Sequence, residues 1–181
     1  MRTAIDLFAG TGAATAELAR RGWRVIRVEI NPAFEADWRD IRSFVWDGDP
    51  VDFVWASPPC TEFSRTFMPW IDQDRPSLEA IELIFHTLRV IREARPRYWI
   101  LENVKGAQRW LGRAAYHIGS RYLWGWFPFD QFGKYEYPDL TKKWRLGPSP
   151  LRPVLRSRIE DSIAWAVAEI LERNLNGRKA A

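Results

Sequence analysis

Four short apolar runs, Thr3–Phe8, Arg24–Glu29, Val51–Ala56 and Tyr98–Glu102, alternate with segments of helical spacing at Ala13–Arg21, Pro32–Arg39 and Ser77–Ala94. This alternation limits the fold more than any other feature of the chain. Strands that are apolar at nearly every position need cover on both faces, and strand–helix–strand crossovers provide it. The expectation is an α/β domain: a mostly parallel sheet with helices on both faces. The helix from Ser77 is the best marked, with Pro76 before it, Glu79 and Glu82 in its first turns and the Arg95-Pro96 break at its end. Its apolar positions are Leu78, Ile81, Ile84, Phe85, Leu88 and Ile91.

Beyond Val104 the rhythm weakens. Ser120–Pro128 reads as one more strand, Phe129–Pro153 as loop, and Ile159–Leu175 as an amphipathic helix with Ile163, Val167, Ile170 and Leu171 on one face. No repeat, low-complexity stretch or second domain interrupts the 181 residues, so residues 1–181 read as one unit.

Composition narrows the classes. Cys60 is the one cysteine and His86 and His117 the only histidines, which excludes an internal disulfide and leaves no credible zinc set, so no metal is expected. A reducing, cytoplasmic setting follows. No apolar run approaches the roughly 20 residues of a membrane span, and Asp6 breaks the amino-terminal apolar stretch, so neither a membrane protein nor a secreted one is expected. The net charge of +4, with eleven tryptophans among 27 lysines and arginines, makes nucleic acid a reasonable partner. Tryptophans in strand-like runs, such as Trp55 and Trp99, are expected in the core.

Candidate chemistry gathers at strand ends. Cys60 stands in Ser57-Pro58-Pro59-Cys60-Thr61-Glu62-Phe63-Ser64, where two prolines impose a stiff turn directly after a strand. Position alone leaves it open between a nucleophile and a small buried hydrophobe. Thr3–Phe8 runs into the glycine turn Ala9-Gly10-Thr11-Gly12-Ala13-Ala14-Thr15, in which Thr15 stands where a dinucleotide fingerprint wants a third glycine. Glu29 follows about 20 residues on, where a ribose-binding carboxylate belongs in a nucleotide fold. Taken singly, Glu29 reads equally well as a solvated strand end, and Asp40 as a helix cap.

Taken together, Asp6-Leu7-Phe8-Ala9-Gly10-Thr11-Gly12, Glu29-Ile30-Asn31, Pro58-Pro59-Cys60 and Leu101-Glu102-Asn103-Val104 resemble, in order and spacing, the cytosine C5 DNA methyltransferases, over residues 3 to 106. The resemblance implies a Rossmann-like S-adenosylmethionine-dependent methyltransferase fold. It implies S-adenosyl-L-methionine held by Asp6, Phe8, Ala9, Gly10, Thr11, Gly12, Glu29, Ile30, Asp40 and Pro58. It further implies that Cys60 adds to C6 of cytosine, that Glu102 engages N3 and the exocyclic amine, and that Asn103 steadies the turn. Pro59 would border the extruded base, with Ser64 and Arg65 on phosphates. DNA is the implied substrate; RNA, a free cytosine nucleotide, or an inactive nucleic-acid-binding subunit are the alternatives.

The chain departs from the resemblance in three places. Residues 129–155 leave only an irregular loop where such enzymes carry a target-recognition region. The arginine-bearing motif after the Glu-Asn-Val strand is not clearly present; Lys142, Lys143 and Arg145, or equally Arg121, could replace it, and none is assigned. The last helix is entered through Arg156-Ser157-Arg158-Ile159 in place of a Gly-Asn-Ala-Val-like run. If these residues meet the donor, two cations beside a sulfonium suit a donor that also carries a carboxylate. Carboxy-S-adenosyl-L-methionine, giving 5-carboxymethylcytosine, is therefore an alternative to plain methyl transfer. Arginines facing phosphate or solvent are the favoured reading.

Overall fold

The computed structural model describes residues 1–64, 75–137 and 158–177. Six strands form one sheet in the order β2-β1-β3-β4-β6-β5. Here β1 is Thr3–Leu7, β2 Arg24–Val28, β3 Phe53–Ala56, β4 Tyr98–Asn103, β5 Tyr116–Ile118 and β6 Arg121–Trp126, and the helices are α1 Ala16–Arg20, α2 Leu78–Ala94, α3 Gln108–Leu111 and α4 Asp161–Gly177. The first four are parallel, while β6 runs antiparallel to both β4 and β5. The expected mostly parallel α/β sheet is what forms.

Side chains alternate across the sheet as the pleat requires. Ala4, Phe53, Trp55, Ile100 and Leu123 face Ile163, Val167, Ile170 and Leu171 of the last helix, α4 (Asp161–Gly177). Ile5, Leu7, Val54 and Ala56 face Val90, Ile91 and Ala94 of α2 (Leu78–Ala94). A third cluster joins Phe63, Ile84, Leu101, Ala107 and Trp124. Helix α2 starts as its sequence suggests, with Ser77 Oγ accepting the Ala80 N–H at 3.2 Å. Its apolar residues divide: Ile84 and Ile91 are buried, whereas Leu78, Ile81, Phe85 and Leu88 are exposed.

Several boundaries differ from expectation, each for a local reason. Strand β1 stops at Leu7 because Phe8 turns into the left-handed region at φ 62°, which lets the N–H groups of Phe8 and Ala9 both donate to the Val28 carbonyl. Helix α1 covers only Ala16–Arg20, since Thr15 at its start donates its hydroxyl to Asp6. Residues 32–39, expected as a helix, form turns. Asn31 Oδ1 accepts the Ala33 N–H, Arg39 donates to the carbonyls of Asn31 and Phe34, and Trp38 bridges to Val28, so side chains and a bridge have taken the backbone groups a helix would use. The first part of the stretch read as loop, Phe129–Lys134, is a 3-10 helix anchored by buried Phe129 and Phe132. The hairpin strand β5 was not expected; three residues are too few for a period to show.

Candidate active site

Strands β1, β2, β3 and β4 bring their carboxyl ends to one edge of the sheet, and the order reverses between β1 and β3. Open α/β sheets bind ligands at that point. The loop after β1 and the turn after β3 therefore face a common cleft, lined by Asp6, Phe8, Gly10, Thr11, Ser57 and Arg158. Phe34, a residue the sequence did not single out, also lines it.

The cleft holds one buried carboxyl with an unused acceptor. Asp6 is 1% exposed; its Oδ2 accepts the Thr15 hydroxyl at 2.6 Å, and its Oδ1 has no hydrogen-bond partner. Burial pushes this carboxyl up to about 7, against the partial relief of Thr15 and Arg27. Glu29 braces the loop from the end of β2, accepting the Gly10 N–H at 2.7 Å through Oε2 and the Asn31 N–H at 2.8 Å through Oε1. Gly12 sits at φ 72°, and a Cβ there would lie 2.9 Å from Arg27 Nε. Ile30 is exposed beside Glu29. Asp40 is not among the cleft's lining; its Oδ1 caps the following turn by accepting the Arg42 N–H at 2.9 Å.

A second group of side chains meets at the ends of β3 and β4. Cys60, partly exposed, opens a 3-10 turn at Thr61–Phe63. Buried Asn103 donates Nδ2 to the Pro58 carbonyl at 3.0 Å and accepts the Val104 N–H at 2.9 Å, which clamps the proline turn to the end of β4. Glu102, 6% exposed, is approached by Arg121 Nη1 at 3.3 Å. Ser57 also bonds Glu102. The Trp55 indole N–H donates to Ser57 Oγ at 2.6 Å, so the one hydroxyl proton of Ser57 is left for the carboxylate. Arg121 Nε lies 3.6 Å from Glu160 at the entry to α4, and its Nη2 donates to the Arg158 carbonyl at 2.9 Å.

Two opposed effects set the acid chemistry here. Burial raises Glu102 despite the nearby Arg121 charge and the bonds from Arg121 and Ser57, with the Glu160 charge adding to the rise. Burial, then the negative charge of Glu102, raise the Cys60 thiol, while a Ser64 hydrogen bond and Arg121 partly offset them. Pro59 is exposed beside the thiol. Arg65, Arg156, Ser157, Lys142, Lys143 and Arg145 lie outside the described residues. Arg158 lines the cleft but gives its Nη2 to Asp161 at 2.6 Å.

The family model for C-5 cytosine-specific DNA methylases matches residues 2–111, the span that carries Asp6, Glu29, Cys60, Glu102 and Asn103 but not Arg121, Arg158 or Glu160. The chain belongs to that family. This family uses S-adenosylmethionine, and the matched residues include the loop after β1 and the Cys60 turn. Among curated relatives, the type II methyltransferase M.SacI of Streptomyces achromogenes is 43% identical over 60 residues, covering 33% of this chain and 15% of that protein. M.XorII of Xanthomonas oryzae pv. oryzae is 28% identical over 123 residues, covering 56% of this chain and 28% of that protein. The match thus spans less than a third of the length of these type II methyltransferases. Among solved structures, a chain described as a prophage-encoded DNA modification methyltransferase (E. coli) aligns with TM-score 0.46 at 20% identity, over 77% of this chain and 49% of that one.

Ser57, Phe34 and Glu160 are the site neighbours that sequence reasoning missed. Ser57 had a usable signal, since it lies in the same turn as Cys60 and follows a strand. Glu160 had none, because its partner Arg121 lies on a distant strand.

Proposed function

We propose that the chain is a DNA cytosine C5 methyltransferase built as one catalytic unit, with Cys60 as nucleophile, Glu102 as acid and Asn103 as the residue that positions their shared turn. The observation that carries this reading is the convergence of the thiol, a buried carboxyl and Arg121 at one strand end, beside a cleft with an unpaired buried carboxylate oxygen.

Cytosine C5 is a weak nucleophile, and thiolate addition at C6 makes it enamine-like. The reacting arrangement needs a thiolate at Cys60 and a neutral acid at Glu102, which differs from thiol plus carboxylate only by the place of one proton. Arg121 lies near both groups and stabilises whichever is the anion. Protonated Glu102 no longer repels the thiolate, and it offers its proton to the ring nitrogen as negative charge builds there. Arg121 therefore takes the place of the arginine motif that the sequence left open.

The donor supplies an electrophilic methyl group. Asp6 Oδ1 suits its ammonium, the remaining lone pairs of Glu29 suit ribose hydroxyls, and Phe8 and Phe34 suit an aromatic ring. Pairing of Arg158 with Asp161 offsets the cation that would otherwise oppose a sulfonium, which supports plain methyl over carboxymethyl transfer. A target cytosine must leave its stack to reach Cys60, so either the nucleotide is extruded from a duplex or the strand is unpaired.

Nucleoside mass spectrometry of DNA and RNA from cells expressing the chain tests the proposal, with Cys60→Ala as control. Cys60-dependent 5-methylcytosine in DNA is the expected result. 5-Carboxymethylcytosine, or modification confined to RNA, would replace it with the corresponding alternative.

A further inference from the structure

A second cleft lies at the sheet edge made by β5 and β6, with Gln108, Arg113, Tyr116, His117 and Tyr122 in its lining. His117 and Tyr122 are cross-strand partners, and their rings stack with centroids 5.2 Å apart and planes 17° from parallel. The neighbouring aromatics have roles in the fold. Tyr116 stacks on Phe132, and Trp124 is buried with its indole N–H on the Gly112 carbonyl. His117 has no such role: it is exposed on the edge strand, and Arg113 is exposed beside it.

The position of this pair ties it to the active site. Tyr122 stands opposite Asn103 in the β4–β6 register, and so shares a sheet face with the amide that clamps the Cys60 turn. It packs against the cluster containing Phe63 of that same turn. Adjacent strands lie about 5 Å apart, which puts the pair about 5–10 Å to the side of the β4 end. A nucleic-acid strand advances by about 3.4 Å per stacked nucleotide, so this displacement is a few nucleotide steps at most.

We propose that His117 and Tyr122 form a stacking platform for an unpaired base of the DNA strand flanking the target cytosine, with Arg113 meeting the adjoining phosphate. The inference rests on the cytosine methyltransferase reading and adds how the described fold holds its polymer. Stacking accepts any base, because every base has a π face, and typically contributes about five- to a hundredfold in affinity per base. It requires an open base face, which a paired and stacked duplex does not offer. The platform therefore selects single-stranded or locally opened DNA with little sequence preference.

The test uses the full chain and single-stranded DNA oligonucleotides with 2-aminopurine on either side of a single cytosine, read by fluorescence quenching and by anisotropy. Quenching at one flank is expected. His117→Ala and Tyr122→Leu should each abolish it and weaken binding about tenfold, whereas Tyr122→Phe should keep it. Arg113→Ala should weaken binding while leaving the quench at saturation intact. Thermal melting of each variant separates loss of the platform from loss of the fold, and exposed His117 should change without cost to the fold. Absence of quenching in the parent chain, or its persistence in both His117→Ala and Tyr122→Leu, would overturn the platform. Tighter binding and stronger quenching with RNA of the same sequence would overturn DNA as its ligand. Methyl transfer without quenching would remove the platform and leave the enzyme reading, while quenching without any transfer would do the reverse.

Discussion

Asn103 donates its side-chain amide to the carbonyl of Pro58 across 3.0 Å, inside the protein, and so joins the strand end that carries Glu102 to the turn that carries Cys60. Asn103→Ala leaves the Pro58 carbonyl and the Val104 N–H without their partner. The expected cost is about 1–3 kcal/mol of stability, with methyl transfer falling further than stability accounts for. Thermal melting and initial rates at a temperature where the variant is fully folded check both parts.

Glu102→Gln removes the negative charge that opposes the Cys60 thiolate. The thiol is expected to fall toward its ordinary range, read from the pH dependence of alkylation by iodoacetamide. Methyl transfer should drop about 10²- to 10⁴-fold. In the parent enzyme the active proton count lies between the two titrations, so activity falls on the acid side as Glu102 and Cys60 are both protonated. In Glu102→Gln that acid limb should instead follow the thiol alone. An unchanged alkylation profile would break the link between the two residues.

Asp6 carries a pH dependence of stability. Its folded pKa of about 7 lies above its ordinary value of 3.8, so the folded state holds this proton more tightly than the unfolded chain does. The stabilisation is full below about pH 4 and is lost as pH rises through about 7. Asp6→Asn should flatten that part of the profile. Chemical denaturation between pH 4 and 8 should show a difference of up to about 4 kcal/mol in slope-integrated stability.

Gly125 lies at φ 140°, and a Cβ there would sit 2.1 Å from the Trp99 carbonyl oxygen. That contact is with backbone in the β4–β6 ladder and has no flexible side chain to yield. Gly125→Ala should therefore disrupt the pairing that carries Arg121 to Glu102. Loss of soluble expression, or a collapse of the melting transition, is the expected observation.

The parallel core was legible because β1, β3 and β4 are apolar on both faces and α2 has marked ends. The turn that carries Cys60 was legible because Pro58 and Pro59 constrain the backbone around a lone cysteine. Residues 32–39 were not, because Asn31 and Arg39 divert backbone groups through side-chain bonds that no apolar period records. The Arg121 bridge to Glu102 and Glu160 was only half visible. It depends on an antiparallel strand inserted beside β4, which periodicity suggests but cannot register.

The central claim is that Cys60 attacks cytosine, and covalent trapping tests it most directly. DNA in which 5-fluorocytosine replaces cytosine lets the thiolate add and the methyl group transfer, but fluorine cannot leave C5 as the proton does, so the adduct persists. Incubation with S-adenosylmethionine, digestion and mass spectrometry should find a methylated 5-fluorocytosine joined to the Cys60 peptide, and none with Cys60→Ala. Methylation of ordinary cytosine without any such adduct, or an adduct at another residue, would contradict the account.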